Sequence, residues 1–127
     1  KRILCPVDFS EPSRRAIVNA IHLARCFEAE LNVLHVIQPV PALYRKFGLM
    51  ASREKEGLAA EEQARLDHFL QELDFHNVKW TTTIAHGKPD HEILRFLRRV
   101  DCDLLIMGTV GQNQHLLNYR IFGLIFI

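Results

Sequence analysis

The sequence predicts an α/β fold, an open parallel sheet with helices on both faces. Short apolar runs typical of buried strands alternate along the chain with longer stretches whose apolar residues recur at helical spacing. Because each strand is followed by a helix, right-handed crossovers must join the strands and make them parallel. The 127 residues contain no linker-like stretch, so we expect residues 1–127 to form a single domain.

The first strand and the first helix carry the clearest local signals. Ile3 to Val7 is an apolar run typical of a strand buried on both faces, and Pro6 indicates where its ladder ends. Ser10 is a good N-cap, with Glu11 and Pro12 in the first turn of the helix. The apolar face of this helix is formed by Ala16, Ile17, Ala20, Ile21, Ala24 and Phe27.

Three further strands and two further helices follow in the same alternation. Leu31 to Val36 is a second strand, and an amphipathic helix lies between Ser52 and Leu73. Val78 to Ile84 alternates and is rich in Thr, which predicts a third strand. Pro89 opens a third helix, and Asp103 to Met107 is a fourth strand. The buried face of the third helix is predicted to be Ile93, Leu94, Leu97 and Val100.

The composition argues against several classes of protein. The formal net charge is +1 and the basic residues are scattered, which disfavours a nucleic-acid partner. Cys5, Cys26 and Cys102 lie far apart and match neither a zinc site nor a secreted disulfide framework. The chain enters a strand without a signal peptide, and no apolar run approaches the roughly 18 residues of a membrane span. We therefore expect a cytoplasmic protein that does not contact membranes.

The residues that follow each strand are the candidates for ligand binding, because open α/β sheets bind ligands beyond the carboxyl ends of their strands. Asp8 follows the first strand, and it could either accept a hydrogen bond from a ligand or serve only in the turn before the helix. Gly108 and Gly111 follow the fourth strand, and they could expose backbone N–H groups to a phosphate or simply form a tight turn.

Common catalytic and metal-binding patterns are missing from these strand ends. The first strand is not followed by GxGxxG, and the sequence contains no GxxxxGK[ST] run. His86 and His91 flank Asp90 across a strand-to-helix turn, a spacing that fits a metal site poorly. His35 lies within a strand and is predicted to be a satisfied core histidine. No nucleophile with an activating base can be assembled, so we assign no catalytic and no metal-binding residue.

Several short segments together resemble the universal stress protein family. They are Ile3-Leu4-Cys5-Pro6-Val7-Asp8-Phe9-Ser10, Leu34-His35-Val36, the Gly87-Lys88-Pro89 break, and Asp103-Leu104-Leu105-Ile106-Met107-Gly108-Thr109-Val110-Gly111. The resemblance runs from residue 1 to about residue 111, and the tail from about residue 112 is atypical. It implies a Rossmann-like sheet of five parallel strands, of the adenine nucleotide alpha hydrolase-like type, and a homodimer.

The resemblance also implies a nucleotide site, since many members of the family bind ATP at the carboxyl edge of the sheet while others do not. Asp8 would be the polar contact to the adenosine, and Val36 would supply backbone contacts to the adenine. Gly111 would approach the phosphates. The implied ligand is ATP, with Mg²⁺, or another adenine nucleotide. The residues carried over are Pro6, Val7, Asp8, Val36, Met107, Gly108 and Gly111.

The tail departs from the ATP-binding pattern G-x2-G-x9-G-[ST], whose last two residues hold phosphates at a helix N-terminus. That pattern would place its final glycine at Ile121, and the nearby Gly123 is followed by Leu124 rather than Ser or Thr. The last helix and fifth strand of the family therefore look truncated or replaced, or residues 120–127 serve as a substitute strand. Because such an apolar strand invites aggregation, we expect it to be paired, across a dimer interface.

Two functions follow from these observations. The first is a universal stress protein that binds an adenine nucleotide, with at most slow ATP hydrolysis. The second is a dimeric regulatory or interaction protein of the same fold that binds no nucleotide. The adenosine half of the implied site favours the first function, and the missing glycine–hydroxyl pair favours the second.

Overall fold

Five strands and three helices alternate along the part of the chain that the computed structural model describes. It describes the backbone of residues 1–38, 52–108 and 124–126, and the side chains of residues 1–38 and 58–108. The elements are β1 (Arg2–Pro6), α1 (Glu11–Phe27), β2 (Glu30–Ile37), α2 (Ser52–Gln71), β3 (Trp80–His86), α3 (Pro89–Val100), β4 (Leu104–Met107) and β5 (Leu124–Phe126).

The strands form one parallel sheet in the order β3-β2-β1-β4-β5. This arrangement confirms the predicted open parallel α/β fold. β1 lies at the centre, where Leu4 is paired with Asn32 of β2 on one side and with Leu105 of β4 on the other. The chain thus winds from β1 through β2 to β3, then crosses back to the other side of β1. The reversal places a topological switch point between β1 and β4.

The third strand begins later than the sequence predicts, at Trp80 rather than at Val78. A turn occupies the predicted start, because the N–H of Val78 donates to the carbonyl of Phe75 at 2.9 Å. Asn77 within this turn has φ = 62°, a left-handed conformation that Asn tolerates better than most residues. The strand then continues to His86, two residues beyond the predicted end.

The apolar tail supplies the fifth strand of the sheet. β5 runs parallel to β4, with Leu105 opposite Leu124 and Met107 opposite Phe126. Of the alternatives for residues 120–127, the substitute strand agrees with this pairing at Leu124–Phe126. β4 of the same chain satisfies the backbone groups along one edge of β5 only, so the expected pairing across a dimer interface stays a prediction for the other edge.

Two apolar cores hold the helices against opposite faces of the sheet. The larger core joins α1 and α2 to β1 and β2 through residues such as Ile17, Leu66 and Val33, all fully buried. The smaller core joins α3 to the other face through Ile93, Leu94 and Phe96. Of the four residues predicted for this face, Ile93 and Leu94 are buried, whereas Leu97 and Val100 are only partly buried. Among the described residues, no helix is long and apolar enough to cross a membrane.

Two neighbouring residues of α1 test the larger core. Ile17 is fully buried and Val18 is 50% exposed. We expect Ile17→Ala to lower the free energy of unfolding by about 2–5 kcal/mol, because it leaves a cavity between helix and sheet. Val18→Ala is the matched control and should change stability by no more than about 0.5 kcal/mol. Urea unfolding measures both, and equal losses for the two variants would contradict this assignment of the buried face.

Candidate functional site

A cleft opens at the carboxyl ends of β1, β2 and β4, on the α3 side of the switch point. Its volume is about 360 Å³. Six of the residues predicted from the sequence line it, namely Pro6, Val7, Asp8, Val36, Met107 and Gly108. Gly111, the seventh, lies outside the described residues. The topology brings these residues together because all three strands are parallel and end at the same edge of the sheet.

The carboxylate of Asp8 is held in a turn by the residue that caps α1. Its Oδ1 accepts hydrogen bonds from the Ser10 backbone N–H at 3.0 Å and from the Ser10 hydroxyl. Ser10 is the N-cap, and its hydroxyl oxygen accepts from the N–H of Ser13 at 3.3 Å. Both of these bonds from Ser10 go to the same carboxylate oxygen. Asp8 therefore acts as a turn residue through Oδ1 and also lines the cleft.

Two opposing effects act on the pKa of Asp8. Partial burial of the carboxyl group raises the pKa. Hydrogen bonds from Ser10 and from the Ser13 side chain lower it. The hydrogen bonds outweigh the burial, so the pKa lies below the usual value for aspartate. The carboxylate is consequently ionised at neutral pH and can accept a hydrogen bond from a ligand hydroxyl or amine.

Phe9 adopts a left-handed backbone conformation directly after Asp8. Its φ is 67°, a region that bulky residues seldom occupy. Three side chains surround the Phe9 ring. Its centroid lies 4.4 Å from that of the His35 ring and 5.5 Å from that of the Phe69 ring, and the Arg65 guanidinium stacks over it at 4.4 Å. Packing from β2 and α2 therefore stabilises a strained residue, and this residue directs the chain from β1 into α1.

Gly108 allows the end of β4 to approach the first turn of α1. A Cβ atom at this position would lie 2.8 Å from the Pro12 Cβ and 2.9 Å from the Pro12 carbonyl carbon. Such distances are too short for a real contact, so a larger residue would force β4 and α1 apart. Gly108 is thus a packing requirement of this wall of the cleft, a role that the sequence alone left open.

Several lining residues were not predicted from the sequence. Ser13 is buried, and its hydroxyl accepts from the Asp8 N–H at 3.3 Å and donates to the Ser10 carbonyl at 3.1 Å. Pro89 and Ile93 enter from α3, which packs on this side of the sheet only after the crossover from β3. The Ser-x-x-Ser spacing of Ser10 and Ser13 was the available signal for Ser13. The other lining residues that were not predicted for the site are Ser10, Pro12, Leu34, Gln38, Pro89 and Ile93.

The described residues contain no group of three or more His, Cys, Asp or Glu side chains placed to hold a metal ion. His86 is exposed at the end of β3, and His91 is exposed on α3. His35, in contrast, is buried and bonded on both ring nitrogens, which confirms that it is a satisfied core histidine.

The family model described as the universal stress protein family matches residues 1–123. The chain belongs to the universal stress protein family. Two relatives support the match: a universal stress protein of Methanocaldococcus jannaschii, 32% identical over 117 residues, and universal stress protein YxiE of Bacillus subtilis, 30% identical over 122 residues. These alignments cover 89% and 87% of this chain. The chain spans 66% of the first relative and 79% of the second.

Solved structures of the family share the fold along nearly the whole chain. The universal stress protein UspA from Lactobacillus plantarum superposes with a TM-score of 0.70 at 22% identity, covering 100% of this chain and 97% of that one. A universal stress protein in complex with cAMP gives 0.66 at 17% identity, covering 100% and 95%. The universal stress protein from Archaeoglobus fulgidus in complex with dAMP gives 0.67 at 17% identity, covering 99% and 95%.

The strained backbone of Phe9 makes glycine a better replacement than alanine. Phe9→Ala removes the ring contacts and keeps the strain, whereas Phe9→Gly removes the ring and relieves the strain. We expect the glycine variant to be more stable by about 1 kcal/mol, the reverse of the usual order for these two residues. Thermal unfolding of both variants measures the difference, and an alanine variant that is the more stable of the two would contradict it.

The depressed pKa of Asp8 predicts how its contribution changes with acid. Its folded-state pKa lies below the unfolded value, so its stabilisation is complete above about pH 4 and decreases as pH falls through the folded-state pKa. Asp8→Asn keeps the Oδ1 acceptor but cannot ionise. The stability difference between wild type and Asp8→Asn should therefore shrink as pH falls below about 4. A difference that stays constant over this range would show that the carboxylate charge is not stabilised.

Proposed function

We propose that this universal stress protein binds an adenine nucleoside or nucleotide in the cleft at the carboxyl ends of β1, β2 and β4. The observation that carries the proposal is Asp8, whose ionised carboxylate oxygens lie at the rim of a cleft whose other described lining residues carry no charge. A ribose hydroxyl or an adenine amine is the kind of donor that such an oxygen accepts. The proposal concerns binding and not catalysis.

The remaining lining fits a planar heterocycle. Pro6, Val36 and Met107 are apolar or have apolar bodies, and Val36 also has backbone groups at the strand end. A volume of about 360 Å³ lies within the range of about 300–1,000 Å³ found for small-molecule sites. Apolar walls with a few fixed polar groups are the usual composition of such sites. Related structures in complex with cAMP and with dAMP add support, because both ligands are adenine nucleotides with a single phosphate group.

The described lining favours a nucleoside or a monophosphate over ATP with Mg²⁺. It contains no Lys or Arg, and its one charged side chain is that of Asp8. A triphosphate would meet little positive charge there to offset its own charge. The sequence also lacks the glycine and hydroxyl residue that grip the phosphates in ATP-binding members, since Ile121 and Phe122 occupy those positions.

The same missing pair favours a second function, that of a dimeric regulatory or interaction protein that binds no nucleotide. In the described sheet β5 is an edge strand, and its outer backbone offers a second copy of the chain a place to pair. We therefore propose that the chain forms a homodimer for either function. The proposed location is the cytoplasm, as the composition of the sequence predicts. Sedimentation of the chain should give twice the monomer mass, and a monomer at micromolar concentration would overturn this proposal.

Calorimetric titration of the folded chain with adenosine, AMP and ATP with Mg²⁺ tests nucleotide binding. We expect heat on addition of adenosine and AMP, weaker binding of ATP, and no binding of GMP used as the purine control. Absence of heat with all three adenine ligands at millimolar concentration would overturn the proposal and leave the interaction function.

Asp8→Asn tests the role of the second carboxylate oxygen, Oδ2. It keeps the Oδ1 acceptor for Ser10 and replaces Oδ2 with an amide that donates. Losing a hydrogen bond to a charged group costs about 1.5–3 kcal/mol, so AMP affinity should fall about 10- to 150-fold. Asp74→Asn is the matched control, because Asp74 holds a comparable turn through the His76 N–H at 2.9 Å outside the cleft. If both variants bind like wild type, Asp8 does not contact the ligand.

A further inference from the structure

His35 is buried in β2 and is hydrogen-bonded through both nitrogens of its ring. Its Nδ1 lies 2.9 Å from the carbonyl oxygen of Val7, and its Nε2 lies 2.7 Å from Oε2 of Glu62 on α2. The side chains of His35 and Glu62 are only 8% and 19% exposed. These two contacts connect α2 to the last residue before Asp8.

The donor and acceptor chemistry of these contacts requires a proton between the two side chains. A carbonyl oxygen only accepts, so Nδ1 of His35 must carry a hydrogen to bond Val7. In a neutral ring Nε2 would then be a bare acceptor facing a carboxylate, which also only accepts. A separation of 2.7 Å between two acceptors is repulsive unless a proton lies between them. The pair therefore holds one proton more than a neutral histidine beside an ionised glutamate.

The described groups around the pair provide no other proton donor to Glu62 Oε2. Arg65 on α2 reaches only the other oxygen of Glu62, at 3.9 Å, and its guanidinium stacks on Phe9. Arg14 on α1 stacks on the Phe69 ring at 4.7 Å.

The neighbouring strands add no further donor among the described residues. On β3 the residue paired with His35 is the apolar Ile84, and His86 beyond it is exposed. At the end of β1, the Asp8 carboxylate is turned toward Ser10. The shared proton is thus the remaining way to satisfy this contact.

We propose that Glu62 and His35 share this proton and that the pair positions the turn that carries Asp8. Glu62 acts as a positioning residue because it fixes the His35 ring. The Nδ1–H of that ring donates to the Val7 carbonyl, and the ring lies tilted against Phe9 with 4.4 Å between the ring centroids. Val7 and Phe9 flank Asp8 on either side, so the orientation of the ring sets where the Asp8 carboxylate lies. The consequence for ligand binding rests on the proposed function, whereas the shared proton does not.

Three variants of α2 test the proposal. Glu62→Gln donates an amide N–H to a neutral His35 Nε2, so it keeps the hydrogen bond without the extra proton. Glu62→Leu removes the bond, and Glu61→Gln is the matched control, because Glu61 is exposed on the same helix. Urea unfolding at pH 7 should show that Glu62→Leu is the least stable of these proteins, whereas Glu61→Gln and Glu62→Gln stay close to wild type. A Glu62→Leu variant as stable as Glu61→Gln would overturn the role of the contact between Glu62 and His35.

Nitrogen-15 NMR of wild type tests the proton without any variant. We expect His35 Nδ1 to carry a hydrogen at pH 7.5 and a second hydrogen to lie between Nε2 and Glu62. An imidazole with one bare nitrogen and an ionised Glu62 would overturn the proposal even if the variants fail to fold.

Adenosine affinity at pH 6.5 tests the positioning. It should be similar in wild type and Glu62→Gln and at least about fivefold weaker in Glu62→Leu. Equal affinities in all three would overturn the positioning role. If adenosine does not bind wild type while NMR shows the hydrogen between His35 Nε2 and Glu62, the nucleotide function fails and the shared proton stands.

Discussion

Both backbone polar groups of Val7 are bonded to β2, and the arrangement of the cleft follows from this. The Val7 N–H donates to the Leu34 carbonyl at 2.8 Å, and the Val7 carbonyl accepts from the His35 ring at 2.9 Å. A strand that ends at Pro6 would otherwise be free to diverge from its neighbour, because proline donates nothing to the ladder. The two bonds fix the direction in which the chain leaves the sheet and therefore the place of Asp8.

Two residues beyond Val7, packing around the Phe9 ring offsets the strain in the Phe9 backbone. Phe9 takes a conformation that a bulky residue adopts only when its surroundings stabilise it, and aromatic and cationic side chains of β2 and α2 surround its ring. On the other side of the cleft Gly108 lets β4 meet α1 at a distance that no other residue permits. The cleft is thus bounded by close backbone approaches that define its shape before any ligand is bound.

Local patterns in the sequence were enough to predict the parts of the fold that depend on neighbouring residues. The apolar run into Asp8, the Ser10 cap and the periodic face of α1 each have a nearby cause, and topology then placed Val36 and Gly108 at the same edge. Glu62 could not be found this way, because its partner lies 27 residues away in another element. The start of β3 was missed because a turn around Asn77 overrides the β propensity of the segment. The strand pairing of the tail likewise depends on a free edge of β4 that only the assembled sheet reveals.

The central claim is that the carboxyl end of β1 is an adenine-binding cleft, and amide chemical-shift mapping with adenosine tests it most directly. Adenosine carries no phosphate, so the result does not depend on the part of the family pattern that the tail lacks. We predict that the amides of Val7, Asp8, Val36 and Gly108 shift together and saturate with one dissociation constant. Unchanged amides at these positions, or shifts confined to the groove beside Phe75 and Trp80 on the α2 side, would contradict the account.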